Sequence, residues 1–312
     1  MRGPTAAVIL HWGDVADTLA CLGSVAASSL RPSPVVVVDN GSGALSAAAI
    51  EAIVPGADLV LLPENLGYAG GNNAGIRRAL ERGARHVVLI NNDAVLEPDC
   101  LAALVAAADR AGERTGAVGA KILSAADPSR LWIAYGRLTW RAALVDRVGQ
   151  GEPDGARFAG VRDADWVSGC VWLLARPALQ AVGFLDDRFF AYHEDVDWCT
   201  RARRLGFAVQ FAPAARAVHR GGGSLAARGA SATVRYLSAR NTVLFARKHA
   251  RAADWLRLGV TIGASLPREW LRRRRRGDAD DGLRLLVRGY VDGLLGREPP
   301  YAALGLRPGR VS

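Results

Sequence analysis

The stretch HVVLINND, from His86 to Asp93, decides the fold. Its four consecutive apolar residues are too few for a helix and show no alternation, as expected of a strand buried on both faces of a parallel sheet. It then breaks off into two amides and a carboxylate. PVVVVDNGS, from Pro34 to Ser42, repeats the design. Further strands are expected at Ala6 to Trp12, Ala57 to Leu62 and Thr115 to Leu123. Helices should fill the intervals from about Asp14, Leu45, Asn72 and Pro98, the last with Glu97 and Asp99 in its first turn. The pattern is α/β: a doubly wound, mostly parallel sheet. Beyond Leu123 it loosens through Trp132, Tyr135, Trp140 and the segment Gly149 to Gly155, where substrate-shaping elements are expected. It resumes with a strand at Trp166 to Leu174, helices from Pro177 and from Glu194 to Leu205, and a strand at Ala208 to Ala212. A Gly221 to Gly223 hinge then leads into helices from Thr233.

The 312 residues are half hydrophobic, which excludes disorder over most of the chain. Four widely spaced cysteines fit neither a zinc cluster nor a disulfide framework, so a reducing cytoplasm is expected. No targeting signal stands at the N-terminus, and no apolar run reaches the roughly 18 residues of a membrane span. The net charge of +10 is unevenly held. Residues 1–219 carry 21 of the 40 Lys and Arg and 23 of the 30 Asp and Glu, and residues 220–312 carry the remaining 19 and 7. The body is slightly acidic and all the basic excess lies in the tail.

In an open parallel sheet, ligands bind beyond the carboxyl ends of the strands. Three such ends are polar here: Asp39-Asn40-Gly41-Ser42, the segment Glu64 to Asn73, and Asn91-Asn92-Asp93. Gly70-Gly71-Asn72-Asn73, leading into a helix, could cradle a phosphate on backbone N–H groups, although the dinucleotide fingerprint is absent from the first strand-helix turn. The densest cluster is His193-Glu194-Asp195-Val196-Asp197-Trp198 at a helix start. One carboxylate there could work on a substrate while another holds the loop. Trp166, Trp172, Phe189 and Phe190 read as core.

These motifs carry a resemblance. VVVVDNGS, ENLGYAGGNNAGIRRAL, VVLINNDAVLEPDCL, SGCVWLLAR, GFLDDRFFAYHEDVDWCTRARRLGF and AVHRGGGS occur in order between Ala6 and Asn241. The series resembles the family 2 glycosyltransferases of GT-A fold, in particular their rhamnosyltransferase-like bacterial members. The resemblance implies inverting transfer of a sugar from a nucleotide-diphosphate donor to a hydroxyl of a glycan or lipid-linked acceptor, with dTDP-rhamnose favoured. It implies that Asp39 recognises the nucleotide base and that Asn65, Gly67, Asn72, Asn73, Asn92 and Asp93 line the donor site. The family's Asp-x-Asp metal motif falls on Asn91-Asn92-Asp93, leaving Asp93 as its acidic member, and His219 resembles a late metal-binding histidine. Mg2+ or Mn2+ is the implied ion. The general base maps to the pair Glu194 and Asp195, with Asp195 preferred, and Tyr192 and Trp198 flank it as acceptor-site candidates.

The expected division is a catalytic domain over 1–223 and a basic helical extension over 224–312. Trp255 to Leu266 holds Arg257 as its one charge and is followed by arginines 272–276, which suits either a peripheral element on an anionic membrane surface or a helical lid. No nucleic-acid reading motif is present, and Asp278, Asp280 and Asp281 oppose that use. Two rivals stand beside the transferase. A nucleotidyltransferase would want a basic Gly-rich loop where the chain has Trp12-Gly13-Asp14, and a non-catalytic membrane-associated binding protein would bind no donor.

Overall fold

The computed structural model describes residues 3–220, 231–276 and 281–306. Two compact units emerge: Met1–Arg137, Arg147–Phe190 and Glu194–Gly223 form one, and Leu138–Asp146, Ala191–His193 and Ser224–Ser312 the other. The expected glycine hinge and the 223/224 boundary lie outside the described residues, as do Asp278 and Asp280.

The first unit opens with β1 (Thr5–His11), every residue of which is buried. Helix α1 (Val15–Ala26) follows, capped by the Asp14 carboxylate accepting from Ala16 N at 2.8 Å. Then come β2 (Val35–Asp39), α2 (Ala47–Ile53), β3 (Asp58–Leu61), α3 (Gly67–Glu81) and β4 (His86–Asn91). These four strands are parallel, with Val8 of β1 facing Val36 of β2 on one side and Leu89 of β4 on the other. A short β5 (Ala94–Leu96) precedes α4 (Cys100–Ala111) and β6 (Thr115–Ser124). Glu97 lies before α4 rather than in its first turn, because its carboxylate pairs with Arg216 at 2.9 Å. Asp99 likewise precedes the helix, and its carboxylate accepts from Ser29 Oγ at 2.7 Å.

The loosened region contains β7 (Leu131–Ile133), β8 (Tyr135–Leu138), β9 (Val145–Val148) and β10 (Arg162–Asp163). β11 (Val171–Ala175), α5 (Arg176–Val182), α6 (Glu194–Arg204) and β12 (Ala208–His219) complete the unit. The sheet order is β10-β12-β6-β11-β4-β1-β2-β3, with β7 on β6 and β5 on β12, while β8 and β9 pair separately. β11 lies antiparallel between β4 and β6, so the sheet is mixed but mostly parallel.

Three expected elements differ. The strand at Trp166 to Leu174 shrinks to β11, since the Ser168 to Cys170 turn is used to bind side chains. The strand at Ala208 to Ala212 continues to His219 through an irregularity between Ala212 and Arg216. Helix α3 begins at Gly67, not Asn72. Its Gly70-Gly71-Asn72-Asn73 segment is helix interior, with its N–H groups committed to the backbone, and forms no phosphate cradle. The glycines serve close approach: a Cβ on Gly75 would lie 2.3 Å from Val8 Cγ1, and one on Gly71 2.5 Å from Leu10 Cδ1.

The second unit is built on α7 (Ser231–His249), α8 (Ala252–Arg276) and α9 (Asp281–Leu295). A Cβ on Gly289 or Gly293 of α9 would lie 2.4 Å from Tyr236 O or 2.5 Å from Arg240 O, so these glycines let α9 pack directly on the α7 backbone. Buried Asn241 of α7 donates through Nδ2 to Ala191 O and Tyr192 O, 2.8 Å each. Those donations hold a segment in which Tyr192 and His193 both have positive φ, 73° and 71°. No helix among the described residues is long and apolar enough to cross a membrane.

Candidate active site

The site is described within the first unit, beyond the carboxyl ends of β1, β2 and β4. Asp39 ends β2 and is almost wholly buried. Its Oδ1 accepts from Ser42 N and Ser42 Oγ at 2.7 Å each, while Oδ2 is buried without a hydrogen-bond partner. One oxygen fixes the rotamer and the other is left to accept a ligand N–H.

The neighbouring amides do a different job. Asn40 Nδ2 donates to Asn65 Oδ1 and Gly67 O, and Asn40 Oδ1 accepts from Leu66 N. Asn65 Oδ1 also accepts from Gly67 N at 2.8 Å. Asn73 spans to Leu185 through both its atoms, and Asn72 Nδ2 donates to Tyr68 O. These bonds make Asn65 and Asn73 framework residues that shape the loops. Asn72 keeps a buried Oδ1 without a partner. Gly67 has φ 73°, and a Cβ there would lie 2.4 Å from Phe190 O, so only glycine fits where α3 meets the segment before α6.

Asn92 Nδ2 donates to Thr18 Oγ1, whose hydroxyl also meets His11 Nδ1 at 2.7 Å, so Asn92 anchors α1. Asp93 comes next. The antiparallel pairing of β5 with the end of β12 sets His219 opposite Ala94, and this register brings His219 Nε2 to 3.0 Å from Asp93 Oδ1. That approach lacks hydrogen-bond alignment, and both imidazole nitrogens are buried without hydrogen-bond partners. An oxygen and an imidazole nitrogen side by side, neither consumed elsewhere, suit a divalent cation. Among the described residues no group of three or more His, Cys, Asp and Glu could hold a metal by itself.

Trp132, from the stretch where substrate-shaping elements are expected, and Arg147, which its local sequence does not mark, complete this wall. Trp132 of β7 packs edge-on to His219, ring centroids 4.5 Å apart. Arg147 of β9 lays its guanidinium over the same indole, Cζ 3.8 Å from the centroid.

Across from them stand the carboxylates at the start of α6. Asp195 Oδ2 accepts from Gly169 N at 2.9 Å, and Oδ1 from Val196 N at 2.8 Å. Burial raises its pKa, and these N–H groups and the charge of Arg147 restrain the rise. Glu194 is buried, its Oε2 has no partner, and burial together with repulsion from Asp195 lifts it well above the ordinary carboxylate range. Asp195 is thus the better stabilised anion of the two. Gly169 also accepts, through its carbonyl, from Tyr68 Oη at 2.5 Å, and Trp172 Nε1 donates to that phenol oxygen at 3.2 Å. Burial pushes the Tyr68 phenol well up.

The remaining candidates sit elsewhere. Trp198 is fully buried, edge-on to Trp172, with its Nε1 donating to Gly183 O, so its indole offers no face to an acceptor. Tyr192 belongs to the second unit. Asp197 is fully buried and pairs with Arg201 at 2.8 Å, while Arg201 also donates to Val182 O and Phe184 O, making this pair a staple and not a solvated face.

Residues 3–253 match the family model described as "Glycosyltransferase like family 2". The N-acetylglucosaminyl-diphospho-decaprenol L-rhamnosyltransferase of Mycobacterium tuberculosis is 29% identical, over 64% of this chain and 70% of its own. The low-salt glycan biosynthesis hexosyltransferase Agl10 of Haloferax volcanii is 25% identical over 50% and 49%. Among solved structures, a mannosyltransferase from Pyrobaculum calidifontis in complex with GDP-Man and Mn2+ superposes with TM-score 0.57 at 17% identity, covering 96% of this chain and 89% of that one. GalNAc-T7 with UDP, GalNAc and Mn2+ gives 0.55 at 13% identity, over 70% of this chain and 43% of its own length. At such identities these two show the GT-A-type fold.

Proposed function

Since this chain belongs to glycosyltransferase family 2 and is a rhamnosyltransferase-like glycosyltransferase, we propose that it inverts the anomeric centre of a nucleotide-diphosphate sugar, dTDP-rhamnose favoured, in transferring it to a hydroxyl of a lipid-linked or polysaccharide acceptor. The observation that carries this reading is the presence of two sets of groups in one unit: Asp93 beside His219, and Asp195 held on Gly169 N.

Asp39 accepts from the base through its unpartnered Oδ2. Asp195 takes the proton of the acceptor hydroxyl as that oxygen attacks the anomeric carbon. The bond from that carbon to the diphosphate oxygen breaks, and its electron pair leaves with the diphosphate. One base and no carboxylate nucleophile give a single displacement with inversion. Mg2+ or Mn2+ held by Asp93 and His219 would neutralise the charge gathering on the leaving diphosphate. Burial and the neighbouring Asp195 raise the Glu194 carboxyl well above the ordinary range, which disfavours a second negative charge beside the base.

The second unit supports a further part of the reading. α8 exposes Leu256, Val260, Trp270 and Leu271, and its Arg272, Arg274 and Arg275 are exposed too. Apolar and cationic side chains on one element suit an anionic leaflet, where the lipid-linked acceptor would reside.

The test is calorimetry of dTDP-rhamnose, UDP-sugars and GDP-sugars with and without Mn2+, followed by transfer assays on Asp195→Asn. Donor binding with transfer lowered about 10²- to 10⁴-fold in the variant is expected. Full transfer by the variant refutes the base assignment. Liposome binding without any donor binding favours the non-catalytic membrane protein.

A further inference from the structure

Arg147 is a half-buried cation, its Nη2 fully buried, that the proposed mechanism leaves unused. A guanidinium carries five N–H donors, and burying one without acceptors is costly. Here Nη2 is buried with no hydrogen-bond partner, and desolvation lowers the group's pKa. The indole of Trp132, 3.8 Å below Cζ, supports the guanidinium by a cation–π contact and supplies no acceptor. The same indole touches His219, which adjoins Asp93. On its other flank Arg147 is close enough to Asp195 for their charges to interact. The cation thus neighbours the base on one side and, through the Trp132 indole, the Asp93–His219 pair, the groups that would flank a donor's diphosphate if those residues act as proposed.

The chemistry of the neighbourhood gives that position a purpose. At the end of β4 an amide, Asn91, stands two residues before Asp93, so the segment offers a cation one carboxylate. A fixed guanidinium beside it provides positive charge that does not depend on ion capture, and its planar fork matches two phosphate oxygens. We propose that Arg147, braced on Trp132, is a phosphate-binding residue for the nucleoside diphosphate, so that this site retains diphosphate without a divalent cation. The inference rests on the donor reading above. The buried, unpartnered donor is unfavourable in the free protein and is satisfied when the diphosphate arrives.

The experiment is calorimetric titration of dTDP, UDP and GDP, and of the corresponding nucleosides, into the full-length protein, in EDTA and in Mn2+. Arg147→Met and Arg147→Lys are compared with the wild type, and thermal melts accompany each. Expected are measurable binding of one diphosphate to the wild type in EDTA, a loss of about 10- to 100-fold in Arg147→Met, partial recovery in Arg147→Lys, and unchanged nucleoside binding. The melting temperature of Arg147→Met should hold, because the change removes a donor, Nη2, that is buried without an acceptor; a merely structural arginine would lower it. Diphosphate binding in EDTA that is equal in wild type and Arg147→Met overturns the proposal, as does wild-type binding that needs Mn2+ altogether. Failure of every diphosphate to bind the wild type even with Mn2+ sinks the donor reading itself, and the inference with it.

Discussion

Replacing Gly169 with alanine should injure both stability and catalysis, and a second substitution should partly repair the first. A Cβ on Gly169 would lie 2.8 Å from Tyr68 Oη, 3.1 Å from Tyr68 Cζ and 3.5 Å from Asp195 Oδ2. Carbon contacts settle at roughly 3.5 Å, so the phenol must retreat by about 0.5 Å or more. It cannot do so while donating to Gly169 O at 2.5 Å and accepting from Trp172 Nε1 at 3.2 Å. Weakening two buried hydrogen bonds costs on the order of 1–3 kcal/mol in all. The turn also carries Gly169 N, the donor that fixes Asp195 Oδ2, so a displaced turn misplaces the base and should lower kcat by about 10-fold or more. Tyr68→Phe removes the atom that the new Cβ would strike first. In a double-mutant cycle read by urea denaturation, Gly169→Ala with Tyr68→Phe should therefore cost less than the two single changes together, by about 1 kcal/mol. Additivity within roughly 0.5 kcal/mol would show that the phenol is not what excludes a side chain at 169. A destabilised Gly169→Ala with wild-type kcat would show that the turn does not position Asp195.

Three further outcomes are expected. Because Glu194 and Asp195 have raised pKa values in the folded protein, the fold binds more protons than the unfolded chain above about pH 4. Their contribution is full below that pH and is lost as pH rises through the folded values. The buried imidazole of His193, pushed down to about 4, acts in the opposite sense between that pH and about 6.5, so the comparison of Glu194→Gln with wild type in urea melts at several pH values isolates the carboxyls. The variant should gain relative stability as pH rises, and a flat difference would refute the assignment. Asn241→Ala should lose about 2–3 kcal/mol in denaturant unfolding, since it abandons two buried carbonyls at Ala191 and Tyr192. His219→Ala should raise the Mn2+ concentration needed for half-maximal transfer by about 10- to 100-fold, and an unchanged metal titration would remove His219 from the ion's ligands.

The sheet was legible because its signal is local. A run such as HVVLINND can hardly be anything but a central strand, and β4 occupies His86–Asn91 as read. Asp39, Asp93 and Asp195 stood out as carboxylates at strand ends and a helix start, and the roles proposed for them came from the family resemblance. Errors arose where one residue type serves two physical ends. Glycines in Gly70-Gly71 look like a loop, yet they are helical and exist to let α3 touch β1. Asparagines around Asn65 and Asn73 look like ligands, yet they bond the loops together. Trp198 follows the carboxylates in sequence but turns inward on α6, since positions three or four apart, not adjacent ones, share a helical face.

Arg147 was not singled out, and Trp132 was placed no more closely than a stretch expected to shape the substrate, for a deeper reason. They lie on β9 and β7, four- and three-residue strands in a stretch without periodicity, and nothing in their local sequence tells a site arginine from a solvated one. Their meaning depends on β12, whose sequence breaks at Pro213 and which was therefore read as ending at Ala212. Because the strand resumes, its far end pairs with β5, His219 reaches Asp93, and the indole of Trp132 finds a ring to pack against and a guanidinium to carry. One nitrogen of that guanidinium, Nη2, is then buried without an acceptor, a state that folding alone does not favour. A long-range register thus sets a guanidinium in the site whose buried Nη2 meets no protein acceptor, and a diphosphate oxygen is the ligand atom that would supply one.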